Sequence, residues 1–275
     1  GFFVFEVVGV TLGFGPVFDA HLHIVDPHFP LVANDGYLPP AFGAVEYCAA
    51  AAPLGIVGGA IVSGSFQAFD QDYMVAALAK LGPSFVGVTQ LPASTLDHEL
   101  LALDEAGVRA VRFNQHRGGS ESFAAISAFA RRVHKLCGWH VELYADLAAL
   151  RPSEIDALGD LPQLVIDHLG LSEGGLARLV ALAKAGAKVK ATGFGRVFVD
   201  PEIAMEKVAA ANPDALMFGT DMPSTRARRP FEPADMALVA GVLGPELSRK
   251  AFYENAVALY RPKAIAADSR VAVQS

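Results

Sequence analysis

Two imidazoles lie two residues apart in Phe18-Asp19-Ala20-His21-Leu22-His23-Ile24. Side chains at i and i+2 of a strand point to one face, so both rings converge on one point, as a shared metal ion or a substrate oxygen requires. The pair alone is weak evidence. Two later apolar runs end in residues of the same chemical reach, Leu164-Val-Ile-Asp-His168-Leu-Gly170 and Leu216-Met-Phe-Gly-Thr-Asp221. An aspartate at a strand end beside imidazoles is suited to take a proton from water. His21, His23, His168 and Asp221 are therefore the expected catalytic set.

Three arginines fall where apolar runs give way to loops: Arg112 in Val108-Arg-Ala-Val-Arg-Phe-Asn114, Arg117 just after it, and Arg196 in Thr192-Gly-Phe-Gly-Arg196. A guanidinium binds a carboxylate as a planar fork, which lysine cannot copy, and clustering at one rim of an acidic chain focuses a local positive field. An anionic substrate follows as the expectation. Cys48 and Cys137 have no base nearby in sequence and no nucleophile signature, which argues against thiol catalysis. His28, His98 and His134 read as surface or structural residues.

Short β-branched or aromatic runs alternate with alanine- and leucine-rich segments of helical period, the pattern of repeated βα units around a parallel sheet. The expected strands are 17–24, 56–63, 85–90, 108–113, 140–144, 164–167, 187–192 and 215–219, with helices including 72–81, 121–136, 175–185 and 201–211. Eight such units fit a single-domain α/β fold, the (β/α)8 TIM barrel, over residues 16–262, with an N-terminal extension at 1–15 and a C-terminal tail at 263–275. Every chemistry-bearing residue above then sits at the C-terminal rim. Loops 25–42 and 223–233 are over-long; the latter carries Arg226, Arg228 and Arg229, and both are candidate walls of the site. His140 begins its strand and should lie near the opposite end of the barrel, as a structural residue.

The chain has 275 residues, 52% hydrophobic and 19% charged, the balance of a compact globular protein. A net charge of −7 argues against a nucleic-acid partner, because phosphate binding relies on a basic surface. Only two cysteines point to a reducing, cytoplasmic setting. The apolar stretch 1–10 lacks a basic leader and is interrupted by Glu6, so it reads as a strand-like extension rather than a secretory signal. No uninterrupted apolar run approaches the ~20 residues of a membrane-spanning helix. Homo-oligomerisation is left open.

The FDAHLHI, VIDHLG and MFGTDMP segments and the closing Asn255-Ala-Val-Ala-Leu-Tyr260 together resemble the amidohydrolase superfamily, in its amidohydrolase-related TIM-barrel branch, and within it the 2-pyrone-4,6-dicarboxylate hydrolase family. Members with one tightly held metal generally take a further histidine from strand five, and members with two often use a lysine on strand four. Here strand five ends in Tyr144, and strand four carries no lysine, so a dinuclear site is not expected. Three nitrogens and a carboxylate still suit one divalent metal such as zinc. The pyrone-hydrolase resemblance implies instead that no cofactor is required, with Tyr144 a hydrogen-bond donor to substrate. It also implies carboxylate binding by Arg112, Arg196 and, across a loop of different length, Arg117. Ser63, Ser65 and Tyr37 match positions where relatives contact substrate, and His116 sits beside Arg117. The implied activity is opening of a small carboxylate-bearing lactone or pyrone ring by Asp-activated water. The nearest rival is a mononuclear metal-dependent hydrolase or decarboxylase of an aromatic or unsaturated acid. A non-catalytic binding barrel would be marked by loss of the aspartate or of the His-x-His pair, and both are present.

Overall fold

A computed structural model of the protein describes residues 14–265. Eight parallel strands follow one another around a single sheet in chain order: β1 (Val17–Leu22), β2 (Ile56–Val62), β3 (Phe85–Thr89), β4 (Val108–Asn114), β5 (His140–Tyr144), β6 (Leu164–Ile166), β7 (Lys188–Ala191) and β8 (Leu216–Phe218). Helices between them cover the outside, giving the expected single-domain (β/α)8 barrel. Helices Asp72–Leu81 and Pro201–Ala211 span the expected residues. The helix expected from residue 121 instead starts at Ile126, because the Glu121 carboxylate accepts from the Ala93 and Ser122 amides and holds its own segment in a loop. Of the expected extension at 1–15 and tail at 263–275, residues 1–13 and 266–275 lie outside the described residues. Among those described, no helix is long and apolar enough to cross a membrane.

One irregularity in β1 decides where its histidines point. Asp19 pairs with Gly59 and Leu22 with Ile61, so three steps on β1 oppose two on β2, as in a β-bulge. Phe18 packs into the barrel's inner apolar layer with Ala60, Val86 and Met217. The extra residue resets the phase, so His21 also faces inward, against side chains of β5, β6 and β7.

Between β1 and β8 the barrel is closed by contacts beyond the strand ladders. The Asp221 amide donates to the His21 carbonyl (2.7 Å) and the His23 amide to the Met222 carbonyl (2.8 Å). Just below, the buried Asp19 carboxylate accepts from the Thr220 amide (2.8 Å), the Thr220 hydroxyl (2.7 Å) and the Tyr47 hydroxyl (3.0 Å). Gly219 permits this approach, since a Cβ there would stand 2.7 Å from the His21 backbone nitrogen. Burial pushes the Asp19 carboxyl up to about 6 despite these donors. Asp19→Ala would leave the Thr220 and Tyr47 donors buried without a partner. We expect a loss of about 2–4 kcal/mol, read from the denaturation midpoint; a shift under ~0.5 kcal/mol would show that the closure does not depend on Asp19.

The inner wall above the apolar layer is charged. Register places Ala110, Arg112 and Asn114 of β4 beside His140, Glu142 and Tyr144 of β5, so each group of three shares the inward face. Arg112, Glu142, Asp167 and Lys190 are all buried there. Two positive and two negative side chains cancel, which makes such burial tolerable. His140 lies lower, donating from Nε2 to the Glu142 carboxylate (3.1 Å) and packed against Tyr260 of the closing helix, in keeping with a structural residue at the far end.

Candidate active site

The four residues expected to act together meet at the mouth of the barrel. His21 projects from β1 and His23 from just beyond it, their ring centroids 5.0 Å apart, and the His168 ring lies 4.7 Å from His21. Asp221 Oδ1 is 3.5 Å from His23 Nε2 and 3.8 Å from His21 Nε2. Both His168 and Asp221 hold left-handed backbone, with φ of 49° and 59°. Such conformations cost energy in non-glycine residues and persist where the surroundings fix them, here turning both side chains inward. Gly193 has a φ of +65°, and a Cβ there would come within 2.6 Å of His168 Nδ1, so only glycine lets the loop after β7 close over that ring.

His21 Nε2 and Asp221 Oδ1 are buried without a hydrogen-bond partner among the described residues. Buried polar atoms are normally satisfied, so this pair marks a place built for substrate or water. His23 Nδ1 contacts the Val62 carbonyl at 2.7 Å. A carbonyl can only accept, so Nδ1 carries a proton, and Nε2 is the ring atom that faces Asp221. Asp221 Oδ2 accepts from Arg196 Nε (2.8 Å) and Nη2 (2.5 Å). Burial favours the neutral acid, but the Arg196 guanidinium outweighs it and holds Asp221 well below the usual carboxylate range. Burial pushes His168 down to about 3 and His21 well below its ordinary value, the latter helped by the neighbouring Lys190 charge. Both rings are neutral near pH 7.

Above this set opens a pocket whose wall includes His23, Tyr37, Ser65, Tyr144 and His168. Four arginines, Arg112, Arg117, Arg196 and Arg226, also line it, and no carboxylate is among its described lining residues. Tyr144 packs edge-on to His168 (4.8 Å), with the Arg112 guanidinium over its ring (4.9 Å).

Several expectations need correcting in detail. Arg112 is not an open rim residue: its Nε (2.9 Å) and Nη2 (2.8 Å) bind Asp167, and Nη1 donates to the Ser63 carbonyl (2.9 Å). Arg196, expected to bind substrate, is also the partner of Asp221 and donates to the Thr225 carbonyl (3.0 Å). The Ser63 hydroxyl pairs with Tyr73 (2.5 Å) behind the wall, whereas Ser65 faces the cavity. His116 lies 5.0 Å from the Tyr144 ring without lining the cavity. Cys137 has its thiol pushed up to about 11, chiefly by burial, and burial also raises Cys48, which leaves neither as a ready nucleophile.

The loop 223–233, expected as a wall of the site, supplies Arg226 to it. Arg226 stacks on Tyr37 (4.5 Å) and donates to the Asn34 side chain (2.8 Å), while Asn34 donates to the Arg117 carbonyl (2.9 Å). These contacts knit together the loops after β1, β4 and β8 across the mouth. Lys190 and Glu142, assigned no role from sequence, lie beneath His21.

Donor atoms of His21, His168 and Asp221 lie within 4.8 Å of one another, a spacing open to a divalent ion. Proton placement argues against one. Lys190 Nζ stands 3.2 Å from His21 Nδ1, and an ammonium has only donors. His21 Nδ1 must then accept, which leaves the proton on Nε2, where an ion would need a lone pair. Arg196 on Asp221 adds a second fixed positive charge at the same point.

A model of the family described as Amidohydrolase matches residues 18–261. A 2-pyrone-4,6-dicarboxylate hydrolase of Comamonas testosteroni is 27% identical over 279 residues, covering 90% of each chain. Among solved structures, an Agrobacterium tumefaciens protein superposes with a TM-score of 0.80 at 23% identity, over 90% of this chain and 96% of that one. A probable 2-pyrone-4,6-dicarboxylic acid hydrolase of Acinetobacter baumannii, with citric acid bound, gives 0.73 at 20% identity, over 89% and 99%.

Proposed function

Because the chain belongs to the amidohydrolase family, we propose that it hydrolyses a small lactone or pyrone carrying carboxylates, of the kind named for its Comamonas relative. The observation that carries this reading is the pairing of a partly unpartnered His/Asp cluster with a cavity wall of four arginines. In this mechanism the attacking water lies beside Asp221 Oδ1 and His23 Nε2 and donates one proton to Asp221 Oδ1. His21 Nε2–H and the neutral His168 face the ring carbonyl and stabilise the oxyanion that forms on it. Water oxygen bonds to the carbonyl carbon as Asp221 takes its proton. Collapse breaks the ring carbon–oxygen bond, and the proton passes to the departing ring oxygen. Arg117, Arg226 and the outward edges of Arg112 and Arg196 hold the carboxylates, with Tyr144, Ser65 and Tyr37 completing the wall, so that the carbonyl faces the water. No step passes through a metal.

A panel settles the class: acidic pyrones and lactones, their neutral esters, and aromatic carboxylic acids, followed by ring absorbance and by carbon dioxide release. Ring opening confined to the acidic cyclic esters is expected. Carbon dioxide release from aromatic acids, with no ring opening, would favour the decarboxylase reading instead.

Arg117 and Arg226 belong to the half-buried rim rather than the buried quartet. Arg117→Met and Arg226→Met should each raise KM about tenfold or more while kcat changes by a few-fold, because they contact parts of the substrate that do not react. A fall in kcat at unchanged KM would place them in the chemistry.

A further inference from the structure

We propose that Lys190 is a positioning residue: by donating to His21 Nδ1 it fixes the His21 proton on Nε2, making that ring a hydrogen-bond donor toward the substrate carbonyl and denying the site to a divalent cation. Lys190 lies on β7 with its side chain fully buried. Its ammonium is held by Glu142 Oε2, with Asp167 Oδ1 at 3.5 Å and His21 Nδ1 at 3.2 Å. Its N–H groups donate to Glu142 Oε2 and His21 Nδ1, with Asp167 Oδ1 near enough for charge attraction alone. The anchor is itself rigid, since Glu142 Oε1 is occupied by the Tyr260 hydroxyl (2.5 Å) and His140 (3.1 Å).

His21 Nδ1 has two neighbours that make opposite demands. Asp167 Oδ1, at 3.5 Å, could accept a proton from Nδ1, which would turn an Nε2 lone pair into the mouth. Lys190 is nearer and can only donate, and a donor facing a donor is repulsive. Arg112 strengthens this choice by engaging Asp167 through Oδ2 from the other side. The ammonium occupies the inner space bounded by His21, Glu142 and Asp167, whose donor atoms otherwise lie close enough together to hold a cation. A neutral imidazole N–H polarising a carbonyl is a known way to stabilise an oxyanion without moving a full charge.

The catalytic consequence rests on the hydrolytic reading, but the test needs no substrate. Nitrogen-15 NMR of the full chain, with His21 assigned by loss of its signals in His21→Gln, should show a protonated Nε2 and an unprotonated Nδ1. A wild-type His21 protonated at Nδ1 alone overturns the proposal, whatever the variants do. In Lys190→Met the proton should move to Nδ1, facing Asp167, and zinc affinity measured by calorimetry should rise at least tenfold. A folded Lys190→Met that keeps the Nε2 proton, or binds zinc no better than wild type, also overturns it. Loss of lactone turnover in every form with the His21 assignment upheld would instead count against the hydrolytic reading.

Discussion

Asp221→Asn should lower kcat by roughly 10³-fold while leaving KM within a few-fold of wild type, because general-base catalysis contributes on the order of 10²–10⁴. The amide keeps the shape and can still accept from Arg196 through its oxygen, but it cannot take a proton from water. Asp221 Oδ1 is the one oxygen of that carboxylate left without a hydrogen bond, and it is the atom facing His21 and His23. Steady-state kinetics on an acidic lactone read the effect. Turnover within a few-fold of wild type would move the base to another residue.

Arg196→Met has the second largest expected effect, and it is visible in the pH profile. Burial pushes the Asp221 acid constant up and Arg196 is the largest influence pushing it down, so the wild-type base is ionised throughout the ordinary working range. The acid side of kcat/KM should then be flat as far as Asp221 is concerned. Removing the guanidinium lets burial act with less opposition, so an acid limb should rise into view by about one to three pH units. Activity at neutral pH should also fall, because Oδ2 loses the two donors that fix the carboxylate plane. Stability follows the same sign. A depressed folded-state constant stabilises the protein above the unfolded carboxyl value of about 3.9 and ceases to do so as pH falls through the folded value. The variant should therefore be less stable than wild type at neutral pH, with the gap narrowing in strong acid. An unchanged acid limb would show that Arg196 does not tune the base.

Much of this site could be read from residue order because strand ends in a parallel barrel all open on one face. That rule alone brings His21, His168 and Asp221, distant in sequence, to a common rim. The bulge in β1 could not be read, since a period-two pattern carries no mark of an inserted residue. Nor could the left-handed turns at His168 and Asp221, which depend on the packing around them. Lys190 was overlooked for a physical reason: Lys188-Val-Lys190 alternates like a strand with one wet face. Only neutralisation by Glu142 and Asp167 allows its second lysine inside. In-phase charges at Arg112, Glu142 and Lys190, each in the strand position that leads to an inward residue, were the available signal. Arg226 sat in a loop with no periodicity, and its role depends on Tyr37 and Asn34, almost two hundred positions away.

The proposed hydrolysis by a carboxylate and three imidazoles, with Lys190 where a cation would compete, leads to one direct assay. Ring opening of 2-pyrone-4,6-dicarboxylate is timed with protein whose metal content has been counted, before and after stripping with a chelator. Full activity in protein carrying far less than one metal per chain is the predicted result. Activity that vanishes on stripping and returns with zinc would contradict it.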